Sequence, residues 1–192
     1  LPDHDDPTIA ELVAARPHLS LHARDGLVMD DVPLNAVADA VGTPTWAISA
    51  GAIRARLASL RDALADLPVH VHYAVKANDH LAVLRLMHAG GAGADVVSGG
   101  ELLRAREAGI PAAEIVFSGV GKTAQEVRLA LAEGVGQINV ESAEELDMLS
   151  ALAAGMGRTA RVALRINPDV DAGTHAKITT GRAENKFGIA YA

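Results

Sequence analysis

One lysine of this sequence stands where an amine could act on a small carbonyl compound. In Val69-His70-Val71-His72-Tyr73-Ala74-Val75-Lys76 the odd positions are Val, Val, Tyr and Val, and the even positions His, His, Ala and Lys. A strand turns successive side chains to opposite faces, so the apolar set is expected under helices and the other set inside. Lys76 then sits at the C-terminal end of a strand, where a lysine taken out of water becomes a usable nucleophile near neutral pH. Taken alone, a strand-end lysine more often just reaches solvent. His70 and His72 share a strand face, but no third ligand is evident, so no metal site is expected. Gly99-Gly100 could receive an anion at a helix start, although a tight turn explains the pair as well. Lys122 reads as a helix-start charge, Glu141 as a strand-end carboxylate, and Glu101 and Glu145 as helix caps.

The elements that would position these groups repeat. Strand-like segments centre on 73–76, 94–98, 115–118, 138–141 and 164–167. Helical stretches between them end at Gly90, Gly109, Gly134 and Gly155, where glycine suits a left-handed C-terminal position. Capping boxes open several helices: Ser98 with Glu101, Thr123 with Glu126, and Ser142 with Glu145. This alternation demands a parallel sheet. A doubly wound sheet would normally place a G-x-G-x-x-G turn after its first strand, whereas Lys76-Ala77-Asn78-Asp79 follows here. The reading preferred is a (β/α)8 TIM-type barrel with only about five βα units present. Five strands cannot close a barrel, so the chain reads as part of a longer one. Upstream, Pro2, Pro7, Pro17, Pro33 and Pro44 punctuate a stretch read as irregular. Within it, Leu34 to Val41 suggests a short helix ended by Gly42, and Thr45–Ser49 a short strand. Ile53, Leu57, Leu60 and Leu64 mark one face of an amphipathic helix. Residues 1–50 are taken as an N-terminal segment and 51–192 as the incomplete barrel.

His72-Tyr73-Ala74-Val75-Lys76-Ala77-Asn78 resembles the cofactor-bearing segment of the fold-type III pyridoxal-phosphate enzymes, which include barrel-fold amino-acid decarboxylases and alanine racemase. Further segments resemble the diaminopimelate decarboxylases in the same order: Gly93–Leu102, Phe117–Thr123, Asn139–Ser142, Leu164–Val170, His175 with Thr179-Thr180-Gly181, and Asn185–Ile189. The resemblance runs from roughly Asp25 to the end. It implies that Lys76 carries pyridoxal 5'-phosphate and moves protons, and that Ala74 lies beneath the cofactor ring. Asp95 and Arg165 are implied to line the cofactor pocket; an interior ion pair of Arg165 with Glu141 or Asp95 is the plainer alternative. Lys186, Phe187 and Gly188 match a segment near a dimer-forming edge. The resemblance further implies decarboxylation of meso-2,6-diaminopimelate to L-lysine by a cytoplasmic homodimer with a shared active site. In that family a C-terminal β-domain packs with the N-terminal segment, and the ring-stacking histidine, phosphate loop and ring-nitrogen carboxylate come from later strands. An ornithine- or arginine-type decarboxylase, an amino-acid racemase and a non-catalytic pyridoxal-phosphate-binding protein are the alternatives.

Composition narrows the partners. A formal charge of −7 lacks the basic footprint that nucleic acid requires. No apolar run approaches a membrane span, and Leu1-Pro2-Asp3-His4 is unlike a signal peptide. With no cysteine, disulfides and thiolate metal sites are excluded from the sequence. Apolar content dominated by Ala, Val and Leu, with only two Phe, two Tyr and one Trp, suits helices packed on a sheet.

Overall fold

The computed structural model describes residues 7–168 and 187–190 and divides into two compact units, Leu1–Leu67 and Pro68–Ala192. Among the described residues no helix is long and apolar enough to cross a membrane.

The first unit is more regular than its prolines suggest. Helix α1 (Ile9–Ala14) opens on a capping box between Thr8 and Glu11. Strands β1 (Leu19–His22), β2 (Gly26–Met29) and β3 (Val32–Pro33) form an antiparallel sheet in that order, and α2 (Leu34–Val41) follows, ended by Gly42 as expected. The reading of residues 1–44 as irregular therefore fails over the described residues 7–44. Asp30 and Asp31 both adopt positive φ, 49° and 64°, and make the two-residue link between β2 and β3. Asp-Asp is not the Asn-Gly or Asp-Gly pair by which such turns are usually recognised, so the hairpin was hidden. Thr45–Ser49 is not a strand either. The segment leads into α3 (Ala50–Ala63), with Ser49 accepting from the Ala52 N–H as its cap. The Asp30 carboxylate accepts from the Gly51 N–H at 2.9 Å and from the Ser49 hydroxyl, and these bonds hold it below the usual carboxylate range.

The second unit carries the repeating pattern. Strands β4 (His72–Ala74), β5 (Gly93–Val96), β6 (Ile115–Phe117), β7 (Gln137–Val140) and β8 (Val162–Leu164) form one parallel sheet in sequence order. Between them run α4 (Leu81–Ala89), α5 (Gly99–Glu107), α6 (Ala124–Glu133) and α7 (Ala143–Gly155), each touching the next. Crossovers between parallel strands share one hand, so an order that never reverses keeps every helix on one face. A doubly wound sheet would have to reverse its order to cover both faces. The unit is thus a five-stranded arc of a (β/α)8 TIM-type barrel. Beyond Arg165 the fifth strand resumes as β9 (Ile166–Asn167), which pairs in parallel with β10 (Ile189–Ala190).

The helix-covered face forms the core. Val96, Phe117 and Ile138 lie in one register row across β5, β6 and β7, each at most 1% exposed. Burying side chains of this size is worth roughly 1.5–3 kcal/mol each. Ala74, Asp95, Val116 and Gln137 form a row on the opposite face and are only half-buried. The outermost strand β8 leaves Leu164 51% exposed. Gly109 and Gly134 take the left-handed conformation after α5 and α6, while for α4 and α7 that role falls to Gly91 and Gly157, beyond the glycines expected.

Candidate active site

Lys76 lies just past its strand, in a single 3-10 turn Val75–Ala77, and not on the strand itself. Tyr73 builds this turn. Its hydroxyl donates to the Asn78 carbonyl at 3.3 Å, and the Asn78 N–H donates to the Val75 carbonyl at 3.0 Å. Partial burial pushes the Tyr73 phenol up, which keeps it a neutral donor. Val75, fully buried, anchors the turn below. The residue between is thereby lifted onto the sheet's inner side. Lys76 is exposed, so the expectation of a desolvated amine is not met in this arc, which is open on one side.

Lys76 opens onto a cavity of about 790 Å³ at the C-terminal ends of the strands, the end at which barrel enzymes keep their sites. Asp95, Ser118, Asn139, Glu141 and Arg165 share its lining, with Phe187. Of the four residues singled out from the sequence, Lys76, Asp95 and Arg165 line the cavity together, Asp95 from β5 and the other two from just past the ends of β4 and β8. Ala74 is not in the lining; it pairs with Asp95 in register, on the inner row next to the Lys76 turn.

The polar groups are ordered by one another. Arg165 Nη1 donates to Glu141 Oε1 at 2.9 Å, and the second Glu141 oxygen accepts the Gly188 N–H at 3.0 Å. The guanidinium also lies 5.0 Å from the centre of the Phe187 ring. The plainer reading of Arg165, an interior ion pair with Glu141, therefore holds alongside its place in the cavity. Glu141 is 6% exposed and is more than a strand-end charge.

Lys122 is not a solvated helix-start charge. Its ammonium donates to Glu145 Oε1 at 2.7 Å, to the Gly119 carbonyl at 2.7 Å and to the Asn139 carbonyl at 2.6 Å. Glu145, expected only as a cap, forms this buried pair, and its other oxygen accepts the Glu141 N–H at 3.1 Å. Glu101 likewise accepts from Val97, one residue ahead of the cap Ser98. Thr123 and Glu126 do form the full capping box, and Glu126 additionally accepts the Gly99 N–H at 3.0 Å. Gly99 is therefore occupied by a neighbouring carboxylate, which answers the anion reading of Gly99-Gly100. Among the described residues no cluster of three or more His, Asp or Glu could hold a metal ion.

Sequence reasoning missed Ser118, Asn139 and Gln137 as members of the site. Their alternation with buried Phe117, Ile138 and Val140 was the available signal, because polar residues at every second position of a covered strand must face somewhere polar. Asp169, Val170, His175, Thr179, Thr180, Gly181, Asn185 and Lys186 lie outside the described residues.

A primary amine facing a cavity of cofactor size, with a carboxylate and a guanidinium beside it, can condense with an aldehyde and hold an anionic small molecule. Comparison with known proteins gives the family. The chain is 50% identical over 167 residues to a diaminopimelate decarboxylase of Zymomonas mobilis, an alignment covering 85% of this chain and 40% of that relative. A crystal structure of diaminopimelate decarboxylase from M. jannaschii superposes with a TM-score of 0.83 at 35% identity, over 92% of this chain and 42% of the other. The Helicobacter pylori enzyme complexed with L-lysine gives a TM-score of 0.79 at 39% identity, over 82% of this chain and 40% of the other. The chain thus spans about 40% of the length of the curated relatives it matches. The family model described as pyridoxal-dependent decarboxylase, pyridoxal binding domain, matches residues 50–192, and the chain belongs to that family.

Proposed function

We propose that the protein of which this chain is part removes one carboxyl group from meso-2,6-diaminopimelate, giving L-lysine and carbon dioxide, with pyridoxal 5'-phosphate as cofactor. In this reaction one carbon–carbon bond breaks, carbon dioxide leaves, and a proton takes its place on the same carbon. The observation that carries the reading is the convergence of Lys76, Asp95 and Arg165 on one cavity, in a chain half identical to a diaminopimelate decarboxylase. When bound, the cofactor supplies an electron-accepting ring that stabilises the carbanion left by carbon dioxide.

The residues present suit that group. Of the two lysines among the described residues, Lys122 is fully engaged by protein acceptors, whereas Lys76 opens onto the cavity where the cofactor would be held. Lys76 would also hold the proton that reaches the substrate carbon. Ala74, whose small side chain leaves room, would lie beneath the ring, with Asp95 and Arg165 along its edge. Glu141 would orient Arg165 through their ion pair. Diaminopimelate as substrate, in preference to ornithine or arginine, is supported by the relatives' names and by the lysine bound in one of them. Homodimeric assembly with a shared active site, in the cytoplasm, rests on the family resemblance.

Borohydride reduction of the full-length protein loaded with pyridoxal phosphate, followed by peptide mapping, should place the cofactor mass on Lys76. Lys76→Ala should lower turnover of diaminopimelate by several orders of magnitude, because one change removes both the cofactor's anchor and a proton carrier. Label on another lysine would refute the assignment, and turnover of ornithine or arginine in place of diaminopimelate would refute the substrate.

A further inference from the structure

We propose that Gln137, Asn139 and Ser118 are positioning residues: they form a hydrogen-bond relay of fixed direction that makes Asp95 an acceptor for a proton-bearing group of the ligand in the Lys76 cavity. The inference rests on the cofactor reading above and assigns roles to residues outside it.

The direction follows from chemistry. Gln137 Nε2 donates to Asn139 Oδ1 at 2.8 Å, which turns the Asn139 amide nitrogen the other way. That nitrogen can only donate, and it does so to Ser118 Oγ at 2.9 Å. The Ser118 hydroxyl has a single proton, and this goes to Asp95 Oδ1 at 2.5 Å, a length typical of a bond to a charged oxygen. Each link fixes the next, and none can reverse without breaking its neighbour.

Position gives the relay a purpose. All four side chains line the cavity that Lys76 enters, and they come from β5, the end of β6, and β7. The other lining carboxylate, Glu141, has both oxygens taken by Arg165 and Gly188. Among the described residues Asp95 forms no ion pair, so its second oxygen is the acceptor left for a ligand. A carboxylate pinned by one oxygen presents the other in a fixed direction, and that direction is what Ser118 and its partners supply.

A double-mutant cycle on the full-length apoprotein tests this, reading the dissociation constant for pyridoxal phosphate by absorbance titration. Ser118→Ala should weaken binding about tenfold in the wild-type background. In an Asp95→Asn background the same change should weaken it by no more than about twofold, because the relay's target is already gone. Asn139→Asp keeps the side chain's shape but forces the Ser118 proton away from Asp95, and should reproduce both results. Equal losses in the two backgrounds, or no loss in the wild type, would overturn the relay. A wild-type apoprotein that does not take up pyridoxal phosphate would instead overturn the cofactor reading, and the relay's role toward that ligand with it.

Discussion

Lys122→Met removes an ammonium while keeping the length and apolar stem of the side chain. The lysine side chain is 1% exposed and that of Glu145 8%, with 2.7 Å between the charged atoms. Three acceptors meet the three ammonium protons, so none is left for water. Deleting the ammonium strands the Glu145 carboxylate away from solvent. Breaking one side of such a pair costs about 3–5 kcal/mol, a large share of a typical total stability of about 5–15 kcal/mol. Removing both partners, with Glu145→Leu added, leaves no orphaned charge. The Gly119 and Asn139 carbonyls lose their donor in either variant, so the second change adds only an unpaired Glu141 N–H, worth about 1–3 kcal/mol, while it removes the stranded charge. The double variant should therefore be no less stable than Lys122→Met alone, a departure from additivity of about 2 kcal/mol or more. Urea unfolding of the full-length protein, followed by far-ultraviolet circular dichroism, reads all three variants. A cost below about 1 kcal/mol for Lys122→Met, or additive losses in the double variant, would show that water reaches the pair and that it does not hold the loops together.

Two further outcomes concern the sheet and its caps. The Glu126 carboxyl is held below its ordinary value of 4.5 by the Thr123 N–H, the Gly99 N–H and the Thr123 hydroxyl. A lowered value means that the stabilisation is present above 4.5 and is lost as pH falls through the folded-state value. Glu126→Gln should therefore cost about 1 kcal/mol at neutral pH, and the gap to wild type should close on acidification; a gap independent of pH would refute the charge's role. Gly93→Ala should disrupt the pairing of β4 with β5, because its Cβ would overlap the Glu114 carbonyl and come within 2.7 Å of His72 Nδ1. Poor folding is expected in an expression and melting comparison, and a wild-type melting temperature would contradict it.

Local signals carried much of this protein. Repeated strands at near-constant spacing and the Thr123 capping box depend on residues close in sequence, and the structure keeps them. So does the Tyr73-to-Asn78 segment, whose turn is built almost wholly from its own hydrogen bonds. The period-two run over residues 69–76 is kept only in part, since its strand is His72–Ala74 and Val69 is 49% exposed while Val75 is buried. What tertiary structure decided is which side chains share a bond across strands. Asp95, Ser118 and Asn139 lie more than twenty residues apart from one to the next, and only strand register brings them within reach. Glu145 looked like a cap because its own helix provides that role, while its burial against Lys122 depends on where α7 starts relative to the end of β6. Periodicity fixes which face a side chain takes; stagger between neighbouring strands fixes which partner it meets there, and that stagger is written in no single segment.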